Sequence, residues 1–199
     1  MLNRLVDSHW AFRLLLALPL IGMLVQFAQL NSWGLIIDQS GEWAVRMLIL
    51  TLAVSPARIL MKQLHMGPHW PGWLLKRRRE LGMACFLYAA LHLGVYVVHD
   101  WNLNVVLYDL RSLEFLLGWI GFVLLLALAI TSNDASVHWL GLWWKPLQRL
   151  VYLSAIAAFL HWYLILQDHT GLWLHLAPLL ALEAYRLLHN FARPSGARH

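Results

Sequence analysis

Charge is scarce in this chain. Of 199 residues only 13% are charged and 60% are hydrophobic, against roughly 25% and 45–50% in an average soluble domain. A water-soluble fold of this size could not hide so much apolar surface. Cysteine is nearly absent: Cys85 stands alone, inside an apolar run. No intramolecular disulfide and no thiolate metal cluster can form, and the compartment cannot be read from it. There is no GxGxxG fingerprint and no room for a soluble flavin or nicotinamide domain. Internal repeats, low-complexity segments and signs of a second domain are also lacking, so residues 1–199 read as a single domain.

What is present is a series of long uncharged runs. Leu14 to Ile37, Leu81 to Val98, Phe115 to Asn133 and Leu150 to Gln167 contain no Asp, Glu, Lys or Arg. Each reaches the roughly 17–25 residues that a helix needs to cross a bilayer. Trp43 to Met61 carries Arg46 and Arg58 near its ends, and Thr170 to Leu188 carries Glu183 and Arg186 near one end, where long side chains reach the interface. The first run follows Arg4 and Arg13, but it is long and no small-residue cleavage site follows, so it reads as a retained helix. The expectation is an all-α integral membrane protein, a six-transmembrane-helix bundle with spans near 14–34, 43–61, 81–99, 115–133, 150–167 and 170–188.

Loop charge sets the orientation. Of the 15 Lys and Arg, only Arg46 and Arg111 fall on one side of these spans, which instead carries Asp38, Glu42, Asp100, Asp109, Glu114 and Asp168. The other side holds Arg4, Arg13, Arg58, Lys62, the Lys76-Arg77-Arg78-Arg79 run, Lys145, Arg149, Arg186, Arg193 and Arg198. By the positive-inside rule both termini are cytoplasmic. Between two spans, the basic run reads as an anchor against the lipid bilayer; no nucleic-acid partner is expected. Gly67-Pro68 and Pro71-Gly72 mark an irregular loop, and Trp70, Trp73, Trp143 and Trp144 suit an aromatic belt at one membrane face. Gly118 and Gly121 permit close approach of a neighbouring helix.

Eleven histidines are many for this length. His9, His65, His69, His138, His169, His189 and His199 fall in loops or tails, where a solvated role suffices, and His175 near the outer end of the last span carries little weight. His92 and His161 differ, because each sits within an apolar, uncharged helix, where an ionisable side chain by default suggests function. Each stands eleven residues beyond the expected entry of its helix, at Leu81 and Leu150, roughly 16 Å along the axis. Both helices run the same way, so the imidazoles share one depth, the arrangement that holds one iron from both axial sides.

Haem suits such a pair better than a bare metal. Neutral imidazole is a usual axial ligand, and no carboxylate or thiolate lies beside either histidine to complete a zinc or copper site. With no CxxCH the haem would be non-covalent, hence haem b. His99, two turns beyond His92, and Arg46 are candidates for contact with a haem propionate; an interfacial histidine and a span-ending arginine are the plainer readings.

The stretches RRRELGMACFLYAALHLGVY (77–96) and LALAITSNDASVHWLGLWWKPLQRLVYLSAIAAFLHWYLIL (126–166), with IIDQSGEWAVRMLILTLAVSPAR (36–58), resemble the MsrQ family, formerly called YedZ, over most of the chain in order and spacing. That family belongs to the ferric reductase-like transmembrane group of the bacterial inner membrane. The resemblance implies an electron-transfer subunit with no complete substrate site of its own. It would pass electrons from quinol in the membrane quinone pool, or from a cytosolic flavin reductase, to a periplasmic molybdopterin enzyme that reduces methionine sulfoxide. Quinone or FMN is the further cofactor it suggests. His92 in ALHL and His161 in FLHWYL match family haem ligands. Where the family writes WxxLHxLVYL this chain reads Trp144 to Leu153 with Gln148 at the histidine, and Arg78 occupies the other position of a second ligand pair. One haem is therefore expected, in the outer half of the membrane, with a second absent or held by something such as His138.

Sequential one-electron transfer through iron is the mechanism that follows. A quinol also loses protons; His138, Asp134 and Glu80 on one face, and Asp100 and Asp109 on the other, are the candidates to take them. Two alternatives stay open: a single-haem transmembrane reductase with a metal or oxygen species as acceptor, and a cofactor-free transporter or assembly factor with a polar His92–His161 contact. The third and fifth spans lack proline, whereas broken helices would favour a transporter.

Overall fold

The computed structural model describes residues 9–65, 69–100 and 102–192. Arg4, Gly67, Pro68, Arg193, Arg198 and His199, invoked above, lie outside them, as do the side chains of His69, Trp70, Pro71 and Asp100. Among the described residues there are helices and no strand: α1 (His9–Leu30), α2 (Trp33–Gln63), α3 (His69–Lys76), α4 (Arg78–Asp100), α5 (Leu103–Asp109), α6 (Leu113–Ile130), α7 (Asp134–Leu140), α8 (Trp144–Gln148), α9 (Leu150–Ile165) and α10 (Thr170–Ala192).

Four of these, α1, α2, α4 and α6, are long and apolar enough to cross a membrane. The fifth and sixth expected spans are helices in the expected places but fall outside that class for different reasons. α9 has 16 residues, about 24 Å of helix against a hydrocarbon core of about 30 Å. α10 has 23 residues but includes His175, Glu183 and Arg186. Outward-facing side chains are those of a surface in lipid: on α9 the exposed stripe is Leu153, Ile156, Leu160 and Leu164, at helical spacing. Trp139 (85% exposed) on α7 and Leu142 (94%) just after it stand out, far more apolar exposure than water would tolerate.

Local chemistry fixes the helix ends. Asn31 takes a left-handed φ of 47°, a conformation its short polar side chain tolerates. Ser32 then caps α2, accepting from the Leu35 N–H at 3.5 Å. The first helix thus stops at Leu30, and Trp33 to Ile37, which the uncharged run joined to the first span, open the second. Asn102 and Asn133 cap α5 and α7 in the same way. Asp168 accepts from both the N–H and the hydroxyl of Thr170, and these bonds hold its carboxyl below the usual carboxylate value. The stretch around Pro71-Gly72, expected to be irregular, is helix α3; Pro71 is in the first turn, where its missing N–H costs no bond.

The bundle is organised around α2. Its Met47, Leu48, Leu52 and Val54 pack with Leu81, Ala84, Cys85 and Tyr88 of α4 and with Leu125, Ala155 and Leu179 of α6, α9 and α10. Two helix pairs dominate, α2 with α4 and α6 with α9. Small inward residues allow the second: Ser154 is fully buried and donates to the Gly121 carbonyl at 3.0 Å, and a Cβ on Gly121 would touch the α9 backbone at Ala158 N, 3.6 Å away. This is the small-residue contact that lets helices approach without a hydrophobic driving force.

Candidate functional site

The two helix pairs deliver the two membrane histidines to one place. The His92 and His161 rings lie with centres 6.3 Å apart and planes at 79°. An imidazole nitrogen sits about 2 Å from a bound metal ion and the ring centre about 1.1 Å behind it, so two rings on opposite sides of one ion have centres roughly 6 Å apart.

Each ring is held by the same device. His92 Nδ1 lies 2.8 Å from the Ile37 carbonyl, and His161 Nδ1 lies 2.6 Å from the Glu114 carbonyl. A carbonyl only accepts, so Nδ1 carries the proton in both rings. In the neutral imidazole this leaves Nε2 with its lone pair, the state a metal ligand needs. The residue four positions after each accepting carbonyl is glycine: Gly41 after Ile37 and Gly118 after Glu114. A Cβ at Gly41 would lie 3.0 Å from His92 Nδ1, and one at Gly118 would lie 2.9 Å from His161 Nδ1 and Cε1. A Cβ at Gly118 would force a shift, and one at Gly41 would make the ring give by a few tenths of an ångström. Gly118 was legible beforehand as a point of close approach; Gly41 was not, because nothing in a single glycine on α2 points to a ring arriving from α4.

No group of three or more His, Cys, Asp or Glu able to hold a bare metal ion occurs among the described residues. A paired donor set of two imidazoles, cradled in apolar helices with both Nδ1 atoms committed, fits a ligand that brings its own four equatorial donors.

Arg46 is engaged within the protein. It pairs with Glu42 at 2.6 Å, lies over the Trp43 ring and donates to His175 Nε2 at 3.4 Å. His175 in turn donates from Nδ1 to the Gly171 carbonyl and packs edge-on against Trp162, the neighbour of His161. So His175, given little weight from its position near a helix end, is bonded to Arg46 and packs on the residue after His161. His99 is exposed, two turns along α4.

Residues 40–166, spanning α2 to the end of α9, match the family described as ferric reductase like transmembrane component. The protein-methionine-sulfoxide reductase heme-binding subunit MsrQ of Deinococcus radiodurans is 37% identical over 155 residues, 75% of this chain and 72% of that protein. Its counterpart in Caulobacter vibrioides is 35% identical over 164 residues, 79% and 73% of the two chains. This chain belongs to the MsrQ family. The Brucella anthropi member is 39% identical over 124 residues, 61% of this chain but only 52% of its own length, so the chain spans about half of that relative. Like its MsrQ relatives, the protein is multi-pass in the bacterial inner membrane.

At the basic end of this MsrQ-family bundle, Arg78 and Gln148 line one cavity of about 450 Å³. Gln148 is bound into the protein, donating to Thr131 Oγ1 at 3.1 Å. His138 is exposed on α7 and does not line the cavity. Of the proposed proton acceptors, Asp134 pairs with Arg79, Glu80 with His9, and Asp109 accepts from the Tyr96 hydroxyl.

Proposed function

We propose that this chain is the haem-bearing electron-transfer subunit of a methionine sulfoxide reductase system, with His92 and His161 as axial ligands of one haem b. The observation that carries the reading is the matched pair of imidazoles, each with Nδ1–H given to a backbone carbonyl and Nε2 left to coordinate. The printed names of the relatives, heme-binding subunits of a methionine sulfoxide reductase, support it.

When bound, haem supplies one-electron chemistry at iron. The rest falls to the protein. The Ile37 and Glu114 carbonyls fix ring orientation and raise the basicity of Nε2. Gly41 and Gly118 give the rings room to reach those carbonyls. The packed, apolar helices keep water from the site, which tunes the reduction potential. Arg46 is the candidate to meet a haem propionate with positive charge.

With α9 and α10 completing six spans and both termini cytoplasmic, the histidine pair lies nearer the periplasmic face. That placement supports delivery of electrons to a periplasmic molybdopterin partner, with quinol from the membrane as donor. A single-haem reductase serving a different acceptor is the second reading; it is favoured by Gln148, whose amide is already used within the protein.

The two separate in one experiment. The protein in nanodiscs is reduced with a quinol, and the periplasmic reductase is then added with methionine sulfoxide. Reoxidation of the haem band that needs both additions supports the first reading. A haem that stays reduced until oxygen or ferric ion is supplied moves the second into its place.

A further inference from the structure

Glu183 and Arg186, expected to reach outward from the end of the last span, turn inward instead. Their side chains are 18% and 20% exposed and pair at 2.6 Å. Arg186 also donates to the Tyr152 hydroxyl at 2.8 Å, so one guanidinium holds a carboxylate of α10 beside a phenol of α9. Tyr152 and Arg78 line the cavity at the basic end, and the charge of Arg78 on α4 acts on Glu183 as well. From α2 comes the uncharged Gln63, bonded to Tyr185.

The pair with Arg186 occupies only one carboxylate oxygen, Oε2. Oε1 is buried with no hydrogen-bond partner among the described residues, a costly state for an anion inside a helix bundle. His189 Nδ1 is in the same condition. Glu183, Arg186 and His189 recur every third residue and so follow one side of α10, over about 9 Å of axis running toward the helix end. An ion pair that only ended the span would leave neither atom stranded. A carboxylate and an imidazole in line, leading from a cavity to a membrane face, are the parts of a proton relay. Of the acids expected to take protons at this end, Asp134 is paired with Arg79 and Glu80 with His9; Glu183 has an oxygen to spare.

We propose that Glu183 relays the protons lost when the electron donor is oxidised, acting through Tyr152; this rests on the reading of a quinol as that donor. A quinol loses two electrons and two protons. The electrons pass singly to the haem iron. As each quinol O–H bond breaks, its proton goes to the Tyr152 oxygen while the Tyr152 proton goes to Glu183 Oε1. Oε2 stays on Arg186, and His189 passes the proton on to water at the basic end. Glu183 is thus a positioning residue that never touches the donor.

The test follows haem reduction by stopped-flow absorbance across pH, in the haem-loaded full chain in nanodiscs. The reductant is saturating decylubiquinol or, as the control that releases no quinol protons, dithionite. Quinol-driven reduction is expected to slow roughly a hundredfold in Glu183→Gln and in Tyr152→Phe. Its rise with pH, as the carboxylate ionises, disappears in Glu183→Gln, and Glu183→Asp regains most of the rate. Haem content and reduction by dithionite stay at the wild-type value in all three. Should Glu183→Gln fail to fold, Tyr152→Phe decides. Quinol-driven rates and pH profiles equal to wild type, or slowing shared with dithionite, overturn the relay and leave quinol as the donor. Wild-type haem reduced by dithionite but not by the quinol overturns the relay and the donor reading together.

Discussion

A Cβ built on Gly118 would stand 2.9 Å from two ring atoms of His161, closer than real carbon atoms approach. Gly118→Ala therefore moves the ring off the Glu114 carbonyl or forces α6 and α9 apart, a cost of about 1–3 kcal/mol for overpacking. Haem per chain by pyridine haemochrome is expected to fall severalfold. Gly41→Ala acts on His92 in the same direction. Gly94→Ala, where nothing lies within 4 Å, leaves the haem content at the wild-type value.

Gly121 provides the sharper contrast, being on the same helix one turn further on. Its Cβ would make only ordinary contacts, the nearest at 3.6 Å. Gly121→Ala is expected to hold haem and to melt within a degree or two of wild type, while Gly121→Leu loses both fold and haem. Equal haem loss in Gly118→Ala and Gly121→Ala would show that the contact with His161 is not special.

Ser154 is buried and its hydroxyl bridges α9 to the Gly121 carbonyl. Ser154→Ala removes one bond between helices, worth about 1 kcal/mol, and fills no new space. A modest drop in thermal stability in detergent with unchanged absorption is expected. Ser154→Val adds volume at the closest helix contact and is expected to cost more than the lost bond.

Arg46 shares its charge with Glu42 and bonds His175, whose ring packs on Trp162, next in sequence to His161. A nearby cation favours the state with the extra electron. Arg46→Gln is expected to lower the midpoint potential by tens of millivolts in a redox titration, Arg46→Lys to restore most of it, and haem content to stay level in both. An unchanged potential in Arg46→Gln would remove Arg46 from the site.

Gln148 is tied to Thr131 and lines a cavity with Arg78. Gln148→Leu is expected to leave haem stoichiometry and the Soret band as they are. Loss of haem in that variant would mean that the cavity holds the cofactor.

The legible part of the molecule was that which depends on composition and long periodic runs. Apolar lengths placed α1, α2, α4 and α6, and the isolation of His92 and His161 in uncharged helices marked the pair. What sequence concealed was short-range or relational. The break at Asn31-Ser32 rests on one left-handed residue and one cap inside a single uncharged run. The cradle of Gly41 and Gly118 becomes visible only once α2 meets α4 and α6 meets α9. His175 looked like a helix-end residue because its partner, Arg46, lies 129 positions away. The doubling of the carbonyl-glycine-histidine device was equally hidden, since Ile37-Gly41 and Glu114-Gly118 share spacing and no sequence likeness beyond the glycine.

Axial ligation by both histidines is the central claim, and the spin state of the ferric haem tests it most directly. Electron paramagnetic resonance of purified wild type, His92→Ala and His161→Ala, with haem content measured beside each, compares six-coordinate bis-histidine iron with its two half-ligated forms. The account predicts a low-spin ferric signal in wild type, and loss of haem or a high-spin signal in each single variant. Low-spin haem retained at wild-type content in either variant would contradict it.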